Sequence, residues 1–374
     1  MNTKSFFFYD LETSGLMARA DRIMQFAGQR TTLELEPIGE PVNILVKITD
    51  DCLPSPGAIQ VTGITPQQTL LDGIIEAEFC KYVIEEIFVP GTCAVGYNTV
   101  RFDDEFMRAV LWRNFYDPYE WEWKDDRSRW DILDVVRLTR ALRPEGIEWP
   151  FTKEGKATNR LELITKLNGV SHEHAHDALS DVYATIAVAK LIRDKQPKLF
   201  DYLYKMRSKN EVKKLVNLDN KQPFVYSSGR YPAEHNKTTV AFPIAPGRNG
   251  NVLVYDLRYN IERVLAEPVF SSSGLTSADI SNTDKISSRE HPSFSERSLA
   301  PVVTGLGRSV NDPSSFMLLE RGYSSQANGN SSKPNNNSKK QASATRSFYP
   351  IVKELCYNKC PAVAPLGVLE QDNG

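Results

Sequence analysis

The chain has no apolar run near the ~20 residues that a bilayer-spanning helix needs, and no membrane partner is expected. Its 5 cysteines, Cys52, Cys80, Cys93, Cys356 and Cys360, are odd in number and scattered, which suits reduced thiols rather than a disulfide scaffold. Cys356-x3-Cys360 has the spacing of half a zinc site, but no second Cys or His pair stands near it in sequence. Charge of one sign is also lacking. With 45 basic and 47 acidic residues the net charge is -2, so a nucleic-acid partner would have to be met by a local basic surface. The N-terminus carries no charged leader, apolar core of signal length or small-residue cleavage site, and a cytoplasmic location is expected. The 374 residues leave room for two or three domains.

What is present begins at residues 6–15, FFFYDLETSG. Four consecutive aromatics read as a buried strand, and period-two spacing puts Asp10 and Glu12 on one face of its end. Two carboxylates held so close repel unless a cation lies between them, and they are the hard oxygen ligands that Mg²⁺ or Mn²⁺ prefers. Taken alone, the pair reads as ordinary loop acids, so the case depends on distant partners.

Residues 23–30 and 42–47 are further short apolar stretches, and the three together predict an antiparallel meander. A Pro- and Gly-rich loop follows. Thr65 as N-cap and Pro66 at the first helical position then open a helix expected to run to about residue 88. Residues 93–97 read as a strand and 102–112 as a helix, with Asn98 in the turn between them and Asp103 and Asp104 at the helix start. One of these acids is explained by the positive helix N-terminus. Beyond them Arg101, Arg108 and Arg113 are mixed with Tyr116, Tyr119, Trp121 and Trp123. Flat rings of this kind stack on bases and guanidinium groups hold phosphates, although such rings also fill cores.

From residue 127 an amphipathic helix is expected, stopped before Pro144, with Ile132, Val135, Val136 and Leu142 facing inward. Residues 160–167 form another short helix. His172, His174 and His176 alternate in a polar turn before a helix over residues 181–192, whose Ala184, Ala187 and Ala189 permit close packing on a sheet. Asp177 lies four residues before Asp181 on the same helix face and competes with it for any ligand role. A two-carboxylate strand, an acid at a helix start and His-x4-Asp before a helix have the chemistry to hold two divalent ions ~3.5 to 4 Å apart for in-line phosphoryl displacement. A histidine is suited to take the proton from the attacking water.

In these motifs the first 200 or so residues resemble the DEDDh class of 3′-to-5′ exonucleases, and within it the bacterial exodeoxyribonuclease I family. The strings VTGITPQ, GYNTVRFDDE, RNFYDPY, SRWDILDV, ALRPEGI, AHDALSDVYATIA and QPKLFDYL carry the likeness. It implies an α/β, ribonuclease-H-like mixed five-stranded sheet flanked by helices. It also implies hydrolysis of single-stranded DNA from the 3′ end to 5′-mononucleotides in DNA repair and recombination. By the same resemblance Asp10, Glu12, Asp103 and Asp181 would hold two Mg²⁺, or Mn²⁺, with His176 as general base. Glu12 would also touch the terminal nucleotide, Arg160 would contact substrate, and Arg108, Tyr119, Trp123 and Arg137 would line the strand groove. Arg143 and Tyr202 match part of the surface that takes the C-terminal tail of single-stranded DNA-binding protein. A monomer is expected.

The expected organisation is an exonuclease domain over residues 1–196 and the first part of an SH3-like domain over 197–269. Residues 270–347 form a low-complexity stretch, and the final SH3-like strand and tail occupy 348–374. Of the 80 residues in 271–350, 20 are Ser, a composition that cannot offset its ordering entropy, and disorder is expected there. The helical third domain of the family is expected to be absent. Two other readings stand beside the first: an exoribonuclease or oligonucleotidase with the same chemistry, and a non-catalytic DNA- or partner-binding protein.

Overall fold

The computed structural model describes residues 4–170, 177–260, 262 and 351–369. The aromatic run forms β1 (Ser5–Thr13), buried along all nine residues. Burial on both faces requires partners on both sides. Strands β2 (Ile23–Thr31) and β3 (Val42–Leu45) continue antiparallel on one side, and β4 (Thr92–Gly96) and β5 (Ser128–Asp131) add in parallel on the other, in the order β3-β2-β1-β4-β5. The mixed five-stranded sheet and the meander are as the sequence predicts.

Alternation along β1 sorts its side chains between two layers. Phe6 and Phe8 enter a core with Val135 and Val136 of α5 (Ile132–Leu142), Val182 and Val188 of α7 (Ala178–Lys195) and Phe200 of α8 (Pro197–Met206). Phe7 and Tyr9 face the other way, where Phe26 and Phe88 pack on both. Ala184 and Ala189 are fully buried in the first layer, as their small size allows.

Several elements differ from the sequence expectation. The helix opened by Thr65 is α2 (Pro66–Asp72), and the hydroxyl of Thr65 accepts from the Gln68 amide as its cap. It stops at Gly73 instead of continuing to residue 88. There the chain meets the sheet: the Lys47 amide donates to Ile74 O at 2.8 Å, the Ile74 amide donates to Leu45 O at 3.0 Å, and a Cβ on Gly73 would lie 2.8 Å from Lys47 N. A new helix, α3 (Glu76–Tyr82), and a π-turn over Val83–Ile87 follow. The Pro-rich loop contains α1 (Pro56–Thr62), started by its proline and closed by Gly63 at φ 71°. The helix expected from residue 127 begins only at Ile132, because Ser128–Asp131 is strand β5, whose last residue caps α5 through its carboxylate.

A second sheet holds β6 (Phe224–Ser227), β7 (Thr238–Pro246), β8 (Val252–Asp256), β9 (Val352–Leu355) and β10 (Val363–Pro365), antiparallel throughout in the order β10-β6-β7-β8-β9. The segment after residue 350 thus supplies two strands, not one. Two short helices lie between, α6 (Leu161–Leu167) before α7 and α9 (Lys209–Leu215) after α8. Leu199, Phe200 and Leu203 of α8 pack into the first core, while Met206, Val212 and Val216 enter the second. The described residues 4–170, 177–258 and 351–369 belong to one compact unit. The expected disorder over residues 270–347 lies outside the described residues.

Candidate metal centre and strand groove

β1 ends in the two acids. Asp10 stands opposite Ala27 and Glu12 opposite Gln25, with a register slip immediately after Glu12. Both are buried, at 9% and 3% exposure. Helix α7 packs across β1 and β2 and brings Asp181, in its first turn, to the same place. Asp10, Glu12 and Asp181 each offer a carboxylate oxygen, and these atoms all lie within 4.8 Å of one another. Among the described residues this is the group with metal-ligand geometry. Three hard oxygen donors, two of them buried and the third partly so, fit a hard divalent cation.

The rivalry between Asp177 and Asp181 is decided by the backbone. Asp177 is the N-cap of α7 and accepts from the Ser180 amide at 3.1 Å, whereas Asp181 points into the acidic group. His176 lies outside the described residues, immediately before Asp177 in sequence, as do His172 and His174.

Asp103 reaches the neighbourhood by another route. β4 runs parallel to β1 and approaches it so closely at Gly96 that a Cβ there would lie 2.8 Å from Tyr9 O. The chain then reverses through Asn98 at φ 70°, whose amide donates to Asp131 Oδ1 at 2.9 Å. Burial, with Asp134 close by, pushes the Asp131 carboxyl up to about 6. Asp103 follows as the first residue of α4 (Asp103–Arg113), fully buried and outside the close trio.

Its neighbour Asp104 has different work. Its carboxylate accepts the Tyr9 hydroxyl and pairs with the Arg129 guanidinium, both in the interior. Arg129 also reaches Glu122 at 3.0 Å, and Glu122 takes Arg108 at 2.5 Å. Sequence reasoning missed Tyr9, Asp104, Glu122 and Arg129 as one network. The available signal was an arginine inside a strand that has to be neutralised somewhere.

The groove candidates separate into three kinds. Tyr119 and Trp123 present their rings to solvent, at 55% and 65% exposure. Arg108 lies over Tyr119, 5.6 Å from the ring centroid, and bonds Glu105 at 2.7 Å as well as Glu122. Arg160, half exposed at the start of α6, pairs with Glu162 at 2.7 Å. Arg137 is buried at 2% exposure and paired with Asp134 at 2.7 Å, and Arg101 holds the other oxygen of Asp134 at 3.1 Å. Trp121, also in the aromatic run, is core, stacked on Phe88 at 4.7 Å.

Elsewhere, Arg143 donates to Val368 O at 3.2 Å, and burial pushes the Tyr202 phenol up to about 12. All five cysteines are free thiols. No helix among the described residues is long and apolar enough to cross a membrane.

A mixed sheet in this order, with carboxylates at the end of its central strand and a further acid brought in by a crossing helix, defines an exonuclease domain of the ribonuclease-H-like class. Residues 7–189 match the family model described as Exonuclease, and residues 207–270 match the Exonuclease I SH3-like domain. The chain belongs to the exodeoxyribonuclease I family. It is 47% identical over 265 residues to exodeoxyribonuclease I of Haemophilus influenzae, covering 70% of this chain and 56% of that protein. It is also 47% identical over 263 residues to the Escherichia coli enzyme of the same name, covering 70% and 55%. The crystal structure of E. coli exonuclease I with a dA16 oligonucleotide superposes with a TM-score of 0.74 at 37% identity, covering 98% of this chain and 66% of that one. The zinc-bound form of the E. coli enzyme with single-stranded DNA gives 0.75 at 37% identity, covering 99% and 66%. The chain thus spans little more than half the length of the curated relatives it matches.

Proposed function

We propose that this chain is a 3′-to-5′ exonuclease that hydrolyses single-stranded DNA to 5′-mononucleotides, using two Mg²⁺ held at the acidic group, with Mn²⁺ as a substitute. The observation that carries the reading is the convergence of Asp10, Glu12 and Asp181, from a strand end and a crossing helix, within 4.8 Å. Divalent cations bound there would supply positive charge to the attacking and leaving oxygens of a phosphodiester.

The protein's own groups do the rest. Asp10, Glu12 and Asp181 hold the cations, and Asp103, buried at the adjacent helix start, completes the ligand set. His176 takes the proton from the attacking water, a role suited to an imidazole near neutral pH. Glu12 also touches the terminal nucleotide. Tyr119 and Trp123 offer exposed rings for bases, while Arg108 and Arg160 face phosphates. Arg137 supports the groove from beneath through Asp134. Arg143 and Tyr202 belong to the surface for the tail of single-stranded DNA-binding protein. The protein acts as a cytoplasmic monomer in DNA repair and recombination.

Digestion of 3′-labelled single-stranded DNA, duplex DNA and RNA, with Mg²⁺ or with EDTA, tests the reading. Release of mononucleotides from single-stranded DNA alone, abolished by EDTA, is expected. Release from RNA but not DNA would make the chain an exoribonuclease, and no release from any substrate would make it a binding protein.

A further inference from the structure

We propose that Arg129 is a positioning residue through which the SH3-like turn at residues 358–360 sets both the first turn of α4, with its metal acid Asp103, and the groove cation Arg108. This rests on the exonuclease reading above.

Arg129 sits on β5 with 5% of its side chain exposed. One guanidinium nitrogen pairs with Asp104, and the other lies 3.0 Å from Glu122 and donates to Asn358 O at 2.9 Å. Its backbone carbonyl accepts from the Cys360 thiol at 3.2 Å. From Glu122 the chain of charges continues to Arg108 at 2.5 Å and to Glu105 at 2.7 Å, and it closes on Lys359, 3.8 Å from Glu105. Burial works against the charge on Arg129, yet Asp104 and Glu122 hold its pKa above the ordinary value. Burial likewise pushes the Glu122 carboxyl up. Three cations, Arg108, Arg129 and Lys359, thus meet three carboxylates, Asp104, Glu105 and Glu122, and removing one buried member leaves its partners uncompensated.

The clamp lies at two of the three elements that carry the metal acids, β1 and α4. Asp104 follows Asp103 in the first turn of α4, and its other partner, Tyr9, precedes Asp10 on β1. The Tyr9–Asp104–Arg129 link therefore fixes the strand bearing Asp10 and Glu12 against the helix bearing Asp103. Ligand sets tolerate little misplacement, and outer partners of metal ligands typically change metal affinity by about 10- to 100-fold. Glu122 contacts both Arg129 and Arg108, but only Asp104 links Arg129 to the elements bearing the metal acids, so the two branches have separable readouts.

The test measures Mn²⁺ affinity by calorimetry, thermal melting, and kcat and KM for nucleotide release from 3′-labelled single-stranded DNA. Arg129→Lys and Tyr9→Phe are expected to weaken Mn²⁺ binding about ten-fold and to lower kcat. Glu122→Gln is expected to raise KM several-fold with a smaller loss of Mn²⁺ affinity than Tyr9→Phe, since Asp104 still holds Arg129. Lower melting temperatures with Mn²⁺ affinity and kcat unchanged in the folded variants would show a merely structural network and overturn the proposal. If Arg129→Lys does not fold, Tyr9→Phe decides, because a phenylalanine fills the same space. A wild-type chain that binds Mn²⁺ but releases no nucleotide overturns the exonuclease reading while the Mn²⁺ comparison still decides this one. A wild-type chain that binds no Mn²⁺ overturns both.

Discussion

Asp177 and Asp181 stand one helical turn apart at the start of α7, and one is spent on the helix while the other enters the acidic group. Asp177→Ala is expected to cost about 1 kcal/mol of stability through the lost cap, with nucleotide release retained. Asp181→Asn is expected to keep its melting temperature and lose metal-dependent release by orders of magnitude. Thermal melting and single-turnover digestion of both variants check the division, and it fails if Asp177→Ala is the inactive one.

The adjacent pair on α4 divides in the same way. Asp103→Ala should abolish turnover while leaving strand binding measurable. Asp104→Ala takes from the buried Arg129 one of its two carboxylate partners, and about 3 to 5 kcal/mol of stability should go with it. Chemical denaturation beside an activity assay separates the two, and a stable, inactive Asp104→Ala with an active Asp103→Ala would reverse the assignment.

Burial separates the groove residues. Tyr119→Ala and Trp123→Ala should each weaken single-stranded DNA binding by about 1 to 3 kcal/mol with no change in melting, since both rings are exposed. Arg137→Ala removes one side of a buried ion pair and should destabilise the protein by about 3 to 5 kcal/mol. Fluorescence anisotropy with a labelled oligonucleotide, read against melting curves, distinguishes surface contact from internal support.

Lys353 of β9 is expected to give a pH signature. Burial, aided by Arg101, Arg230 and Arg137 and opposed by Asp134, holds its pKa well below the ordinary lysine value. Its ammonium nitrogen lies 4.3 Å from the Tyr226 ring centroid and 5.2 Å from that of Tyr231, and it bonds Ser228 Oγ. The folded lysine gives up its proton at lower pH than the unfolded one, so between the two pKa values unfolding takes up a proton and stability rises with pH. Lys353→Met should therefore raise the melting temperature at about pH 7 by more than at about pH 10, where the unfolded lysine is also losing its charge. Equal gains at both would show that the lysine titrates normally.

How far the sequence could be read depended on whether a residue's role was local. The D-x-E strand was visible because its aromatic run and its period are properties of neighbouring residues, and Thr65 was visible because a cap acts three residues away. β5 was hidden because SRWD runs into α5 without a breaking residue, Asp131 being both strand end and helix cap. The break at Gly73 was hidden because it is imposed by the edge of β3 and the residues that follow it, nearly thirty positions earlier in the chain. Asp103 and Asp104 are chemically identical in sequence. Only the partners of Asp104, Tyr9 95 positions away and Arg129 25 positions away, distinguish them.

The second sheet is stitched from two stretches of chain, with β9 lying against β8 and β10 against β6. For a flexible connection each doubling of length adds only about 0.6 kcal/mol of closure entropy. A peptide bond cut within that connection would leave two polypeptides joined through strand pairing and the shared apolar interior, and the C-terminal piece would still deliver Asn358 to Arg129.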